Sequence, residues 1–150
     1  MFTQMKRLFF IGLSVLLLAG CATARASTPA PAANLGTNPF AVQAGDNSLT
    51  TDTVTFVSAE VKNVGGSPAQ VDLNIAYRLP TPCHQLRVIV TPPDSTGRIN
   101  IKMYSLMKPN TPCALMALAT PLQATWTLGT FPAGHYTIYI NDAKAVEFDA

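Results

Sequence analysis

The sequence predicts an all-β protein, an antiparallel β-sandwich of about seven short strands. Three observations predict this class: apolar residues recur at every second position in several runs, prolines and glycines fall between those runs, and no convincing crossover helix separates them. The chain has 150 residues with 12 prolines and 9 glycines, which leaves room for one modest domain with frequent turns.

The clearest predicted strand covers residues 71–79. Val71, Leu73 and Ile75 alternate with Asp72 and Asn74, and the same period continues to residue 79. Successive side chains of a strand point to opposite faces, so this pattern indicates one face in the core and one in solvent.

The other predicted strands follow from the same alternation. Their core-facing residues are Leu86-Val88-Val90, Ile99-Ile101-Met103, Leu122-Ala124-Trp126-Leu128, Tyr136-Ile138-Ile140, and Val146 with Phe148. The turn sequence at residues 92–97 predicts that the first two runs form a hairpin, and Asn141-Asp142 predicts the last turn. The opening strand, residues 53–62, changes phase between Phe56 and Val57, which predicts a bulge. Residues 113–119 fit either a short helix or a short strand, and the nearby Thr120-Pro121 favours the strand.

The first 20 residues have the pattern of a secretory signal peptide. Lys6 and Arg7 precede an uncharged apolar run, which ends at small residues just before Cys21. The run is shorter than the roughly 20 apolar residues that cross a bilayer as a helix. We therefore expect residues 1–20 to direct export and to be removed.

The order Leu18-Ala19-Gly20-Cys21 resembles the lipobox of bacterial lipoproteins. The resemblance implies that Cys21 becomes the first residue of the mature protein and carries acyl chains that hold it in a membrane. It also implies a cell-envelope location on the exported side, and Ala22 is compatible with the outer membrane if the source has one. Residues 21–50 are predicted to be the lipidated cysteine and a flexible linker, because most of this stretch is low in complexity. Residues 51–150 are then the β-sandwich domain.

A second resemblance concerns the fold. The sequence FPAGHYTIYIN at residues 131–141 resembles the P-x-G-x-Y-x-V pattern that begins a late strand in many immunoglobulin-like domains. It implies an immunoglobulin-like sandwich, with Tyr136 as a corner residue whose hydroxyl bonds to upstream backbone.

Cys83 and Cys113 are the only cysteines after Cys21, and we expect them to form a disulfide in an oxidising compartment. A periplasmic copper site is the alternative, since several soft donors are present: Cys83, His84, Met103, Met107, Cys113, Met116 and His135. Their spacing does not match the single late loop of a cupredoxin, where Cys, His and Met lie together. We therefore predict no metal and no cofactor, and we expect His84 and His135 to be structural or surface residues.

The charge balance and the absence of known motifs argue against two classes of function, nucleic-acid binding and catalysis. The formal charge is +2, and without Lys6 and Arg7 eight basic residues balance eight acidic ones. A neutral chain lacks the electrostatic attraction that drives nucleic-acid binding, so we expect no nucleic-acid partner. The sequence contains none of the common catalytic motifs, such as GxSxG, HExxH or a Walker loop. We therefore expect that the protein is not an enzyme.

The leading hypothesis is a lipid-anchored, non-catalytic module that binds another envelope protein or glycan. Its predicted contact regions are residues 80–84 and 108–112 and the outward-facing Tyr104 and Tyr139. The alternatives are an inhibitor of a secreted protease or envelope hydrolase and, further removed, a periplasmic copper-binding protein.

Overall fold

The computed structural model describes residues 32–114 and 120–150. The predicted signal peptide at residues 1–20, Cys21, the first part of the predicted linker and Met116 lie outside the described residues. The strands are β1 (Asn34–Leu35), β2 (Thr50–Asp52), β3 (Thr55–Gly65), β4 (Ala69–Arg78), β5 (Gln85–Val90), β6 (Arg98–Met107), β7 (Leu122–Phe131), β8 (His135–Ile140) and β9 (Ala143–Asp149), with one 3-10 turn at Asp46–Ser48. In the described ranges, no helix has the length and apolar character needed to span a bilayer.

The strands form two sheets, which confirms the predicted β-sandwich. The first sheet has the order β1-β7-β4-β3. The second has the order β2-β6-β8-β9, and β5 pairs with the opposite edge of β6, since Leu106 is paired with both Thr51 and Gln85. The predicted hairpin of residues 85–107 is confirmed as the antiparallel pair β5–β6.

One strand pair departs from the predicted antiparallel arrangement. β6 and β8 are parallel, with Arg98 opposite Thr137 and Ile101 opposite Ile140. The cause is the path of the chain: β7 lies between them in sequence but belongs to the other sheet, so β8 returns to the second sheet in the direction of β6. A parallel pair needs a long crossover connection, and here a strand of the facing sheet provides it.

The core lies between the sheets where the alternation predicts it. Val71, Leu73 and Ile75 of β4 are fully buried, and they belong to one apolar core cluster together with residues of β6. Phe131 is also fully buried, with its ring edge against Tyr136 and Phe148 at centroid distances of 5.2 and 5.4 Å. Each such side chain contributes roughly 1.5–3 kcal/mol of hydrophobic free energy.

Local features predicted from the sequence are also present. The register of β3 against β4 shifts between Phe56 and Ser58, and Val57 is 45% exposed, which confirms the bulge. The Tyr136 hydroxyl donates to the Pro132 carbonyl at 3.0 Å, as expected for a corner residue. Asn141 and Asp142 both have positive φ, 48° and 68°, so the β8–β9 connection has the backbone of a tight primed turn.

Residues 34–48 belong to the stretch predicted as a flexible linker, and in the structure they pack on the sandwich. We call these residues the N-terminal strap. β1 pairs with β7, and further on the Asn38 side-chain amide donates to the Val88 carbonyl at 2.8 Å. The Val88 amide donates to the Phe40 carbonyl at 2.8 Å, and the Phe40 ring packs edge-on against Trp126. The strap therefore runs from the β7 edge of one sheet to the β5 edge of the other, and the packed unit begins before residue 51.

The close approach of the strap requires a glycine in β7. A Cβ atom at position 129 would lie 2.3 Å from the Asn34 carbonyl oxygen and 2.9 Å from the Leu35 Cα. Gly129 therefore allows β1 to lie against β7 where another residue would push it away.

The far end of the strap is fixed by an ion pair. The Arg87 Nε and Nη2 donate to the two Asp46 carboxylate oxygens at 2.7 and 3.0 Å, and Nη1 donates to the Leu86 carbonyl. Arg87 is only 6% exposed. The hydrogen bond from Arg87 is the largest cause of a lowered pKa for the Asp46 carboxyl, and the same bond raises the pKa of Arg87.

Asp46→Asn should loosen the strap, because it leaves the Arg87 charge without its carboxylate partner. We expect Tm to fall by a few degrees and the Val88 amide to exchange its hydrogen faster. Because the folded-state pKa of Asp46 is lowered, its contribution is fully present above the ordinary carboxyl pKa and is lost as the pH falls through the lowered value. The variant should lose that acid-dependent step. Asp72→Asn, where the carboxylate accepts a hydrogen bond from the exposed Thr127 hydroxyl, is the matched control; equal exchange at Val88 in both variants would contradict the account.

Candidate functional site

The predicted disulfide joins two loops at one end of the sandwich. Cys83 and Cys113 have an S–S distance of 2.02 Å and a Cα–Cα distance of 6.1 Å. Cys83 belongs to the β4–β5 connection and Cys113 to the β6–β7 connection. We call residues 79–84 and 108–114 the pinned end. Cys113 and Ala114 belong to no helix or strand, and the rest of the segment predicted as helix or strand, residues 115–119, lies outside the described residues.

A buried hydrogen bond between Thr81 and His84 holds the β4–β5 loop in place. Thr81 and His84 are 8% and 7% exposed, and the Thr81 Oγ1 lies 2.8 Å from the His84 Nδ1. The His84 Nε2 lies 3.7 Å from an Asp52 carboxylate oxygen. With its hydrogen on Nε2, His84 faces the carboxylate and accepts a hydrogen bond from the Thr81 hydroxyl. His84 is therefore a hydrogen-bonded structural residue, one of the two roles expected for it.

Asp52, His84 and Thr81 form a series of acid, histidine and hydroxyl like that of a hydrolase triad. The Thr81 hydroxyl is buried, however, and its oxygen lies 3.2 Å from the Cys113 sulfur. A nucleophile must reach a substrate carbonyl, and this oxygen is placed to support the loop instead. We interpret the group as a brace that holds Pro80 and Pro82, both exposed, in a fixed loop.

The donors proposed for copper are distributed over the fold. The two sulfurs are bonded to each other, Met103 is in the core, and Met107 is half-buried. His84 is at the pinned end, whereas His135 is exposed at the start of β8 and bonds Asp149 at 2.8 Å. That bond is the main cause of a raised pKa for His135. Across the described ranges, no cluster of three or more His, Cys, Asp or Glu residues is placed to hold a metal ion.

The chain enters the sandwich at the end opposite the pinned end. Ala32 and Ala33 line a shallow depression with the β5–β6 turn and the β7–β8 turn, including Gly97 and Pro132. β6 begins next to this turn and ends at Met107, beside the pinned end. Ten strand residues rise about 3.3 Å each, so the two ends are roughly 30 Å apart.

A groove of about 630 Å³ lies alongside β6 in the second sheet. β2 pairs with residues 105–107 and β8 with residues 98–101 of the same β6 edge, which leaves a notch between them. The Asn141 side chain occupies the notch: its Oδ1 accepts from the Met103 amide at 2.8 Å and its Nδ2 donates to the Met103 carbonyl at 3.0 Å. We call this feature the β6 groove. The sequence indicated Asn141 only as a turn residue and gave no signal for the notch.

The two tyrosines predicted to face outward are both half-buried but have different surroundings. Tyr104 lines the β6 groove, together with Lys102 and Asn100. Tyr139 lies outside the residues that line the groove, and the Arg98 guanidinium carbon sits 3.8 Å from its ring centre.

The architecture defines a β-sandwich with one end pinned by a disulfide. Residues 73–150 match the sequence model of the ORF11 beta-sandwich domain, and this match covers more than half of the chain, so the chain belongs to that family. The matched region includes most of β4 and all of β5 to β9, and with them the disulfide and the β6 edge. No curated protein and no solved structure matches the chain.

Proposed function

We propose that this protein is a lipid-anchored, non-catalytic binding module of the cell envelope, and that its pinned end contacts another envelope protein. The anchor is the acylated Cys21 of the lipobox-like sequence at residues 18–21. The domain lies on the exported side of the membrane that holds the anchor. In a source with two membranes, that membrane is the outer membrane.

The observation that carries this proposal is the position of the two ends. Cys21 and Ala32 are eleven residues apart in sequence, so even a fully extended connection spans at most about 40 Å. Ala32 lies at the end with Gly97 and Pro132. An anchor at Cys21 therefore holds that end within about 40 Å of the bilayer and leaves the pinned end, roughly 30 Å from the point of attachment, free to contact a partner.

The pinned end also has properties of a recognition surface. Pro80, Pro82 and Cys83 are exposed, while the disulfide and the Thr81–His84 hydrogen bond hold their backbone from behind. A loop held in one conformation loses less entropy when it binds, which favours affinity. Exposed loops held in one conformation are suited to recognition by a protein partner.

Inhibition of a secreted protease or envelope hydrolase is the second candidate function, because a braced, exposed loop also suits insertion into an enzyme cleft. Titration of a panel of such hydrolases with the protein separates the two candidates. Stoichiometric loss of enzyme activity supports inhibition, and full activity throughout supports a binding module.

Photo-crosslinking in living cells tests the proposed orientation. A photoreactive amino acid is placed at Pro82, at the pinned end, or at Ser95, in the exposed turn at the opposite end. We expect a discrete protein adduct from position 82 and none of that mass from position 95. The same adduct from both positions, or from position 95 alone, contradicts the proposal.

A further inference from the structure

We infer that the β6 groove is a binding site for a neutral oligosaccharide. The groove lies beside the middle of β6, whereas the contact proposed above uses the loops of the pinned end, so this inference goes beyond the proposed function. It rests on three observations: how the groove is formed, its size, and the chemistry of its lining.

The groove is a permanent feature of the fold. An unpaired strand edge would invite another strand, but here the Asn141 side chain already satisfies both Met103 backbone groups. The backbone N–H of Asn141 donates to the Ile101 carbonyl at 2.9 Å, which fixes the position of the Asn141 side chain. The notch is therefore closed to strand addition and is fixed in shape before any ligand arrives.

The size of the groove suits a small ligand. Its volume of about 630 Å³ falls within the range of roughly 300–1,000 Å³ that is typical of small-molecule sites. It is open to solvent and is bounded by β2, β6 and the β8–β9 turn, so a short oligosaccharide can reach it.

The lining combines an aromatic ring and the apolar residues Val54, Ile101 and Met103 with polar groups that donate and accept hydrogen bonds. Its side chains include one aromatic ring, one ammonium group, two carboxylates and several hydroxyls and amides: Tyr104, Lys102, Asp52, Asp142, Thr51, Thr53, Asn100 and Asn141. Hydroxyls and amides both donate and accept hydrogen bonds, whereas the carboxylates only accept and the ammonium only donates.

This mixture selects against charged and apolar ligands. An anion would meet the carboxylates of Asp52 and Asp142, and a cation would be attracted only weakly, because the groove is open to solvent and also carries the Lys102 ammonium. A wholly apolar ligand could contact the apolar residues, but it would displace water from the polar groups without replacing the hydrogen bonds that the water makes. A neutral sugar offers hydroxyls that donate and accept, and its C–H face can pack on the Tyr104 ring. It is the ligand class that pairs with each part of the lining.

The test uses the full chain, purified in a phosphocholine detergent so that no sugar headgroup competes. The protein is applied to an array of neutral and acidic oligosaccharides, and the strongest neutral ligand is titrated while backbone amide shifts are followed by NMR. We expect the largest shifts around Lys102 and Asn141. Tyr104→Ala should weaken binding by about tenfold or more, and Tyr104→Phe, which keeps the ring, should bind nearly as wild type does.

Tyr139→Ala is the matched control, since it removes a half-buried tyrosine from the neighbouring strand outside the groove. It should leave the affinity unchanged, and equal Tm values for both alanine variants exclude unfolding as the cause. The inference is overturned by binding of acidic glycans only, by shifts confined to other surfaces, or by no glycan retained above the level of Tyr104→Ala. None of these results alters the crosslink expected at position 82, so this inference and the proposed function can fail separately.

Discussion

Replacing both Cys83 and Cys113 by serine should lower the free energy of unfolding by roughly 3–4 kcal/mol. The two residues are 30 positions apart, and a crosslink that closes a loop of this length removes that much conformational entropy from the unfolded chain. Net stabilities of single domains are about 5–15 kcal/mol, so the loss is a large fraction of the total. Urea denaturation of the oxidised wild type and of the double variant measures it.

The reduced wild-type protein is the control for this prediction. Reduction breaks the same bond but keeps both cysteines. The unfolding midpoint of the reduced protein should therefore approach that of the serine variant. Because the loops that the bond holds carry the proposed contact, the photo-crosslink from position 82 should also weaken in the variant. Equal stability of the oxidised and reduced proteins would contradict the assigned role of the disulfide.

Cys21→Ser should release the protein from the membrane when a conventional cleavable signal peptide replaces residues 1–20. Each acyl methylene that enters a bilayer contributes about 0.8 kcal/mol, so two or three chains form a lasting anchor and none remains in the variant. We expect the wild type in the membrane fraction and the variant in the soluble exported fraction. Mass spectrometry of the N-terminal peptide should show acyl groups on Cys21 of the wild type only.

The double serine variant at positions 83 and 113 is the matched control for fractionation. It makes the same kind of substitution at the two other cysteines and should stay with the membrane. Wild-type protein in the soluble fraction, or an N-terminal peptide without added acyl mass, would contradict the lipid anchor.

The sequence predicts those parts of the fold that depend on local periodicity. The alternation through Val71, Leu73 and Ile75 assigns the core face of β4, and the loss of phase at Val57 locates the bulge in β3. These features need only neighbouring residues, because a strand exposes alternate side chains to alternate faces.

The N-terminal strap and the parallel β6–β8 pair could not be predicted in this way. The strap is held by contacts between distant positions, such as Asn38 with Val88 and Asp46 with Arg87, which are 50 and 41 residues apart. Its own sequence has no apolar period and resembles a linker. The parallel pair depends on which sheet β7 joins, and alternation within β7 carries no information about that choice.

The features of the candidate sites also differ in whether the sequence predicts them. The pairing of Cys83 with Cys113 could be predicted from composition and the expected oxidising compartment, because they are the only cysteines after Cys21. The brace from Thr81 to His84 and the notch filled by Asn141 depend on three-dimensional placement. A turn asparagine looks the same in sequence whether its side chain faces solvent or completes a neighbouring strand.

The most direct test of the central claim compares anchored and released protein in living cells. The chain is tagged after Ala150, crosslinked, and purified as the wild type and as the Cys21→Ser form with the cleavable signal peptide. A membrane-anchored binding module predicts one dominant envelope protein that co-purifies with the wild type and is lost from the released form. Equal recovery of that protein from both forms, or nothing above background from either, would contradict the account.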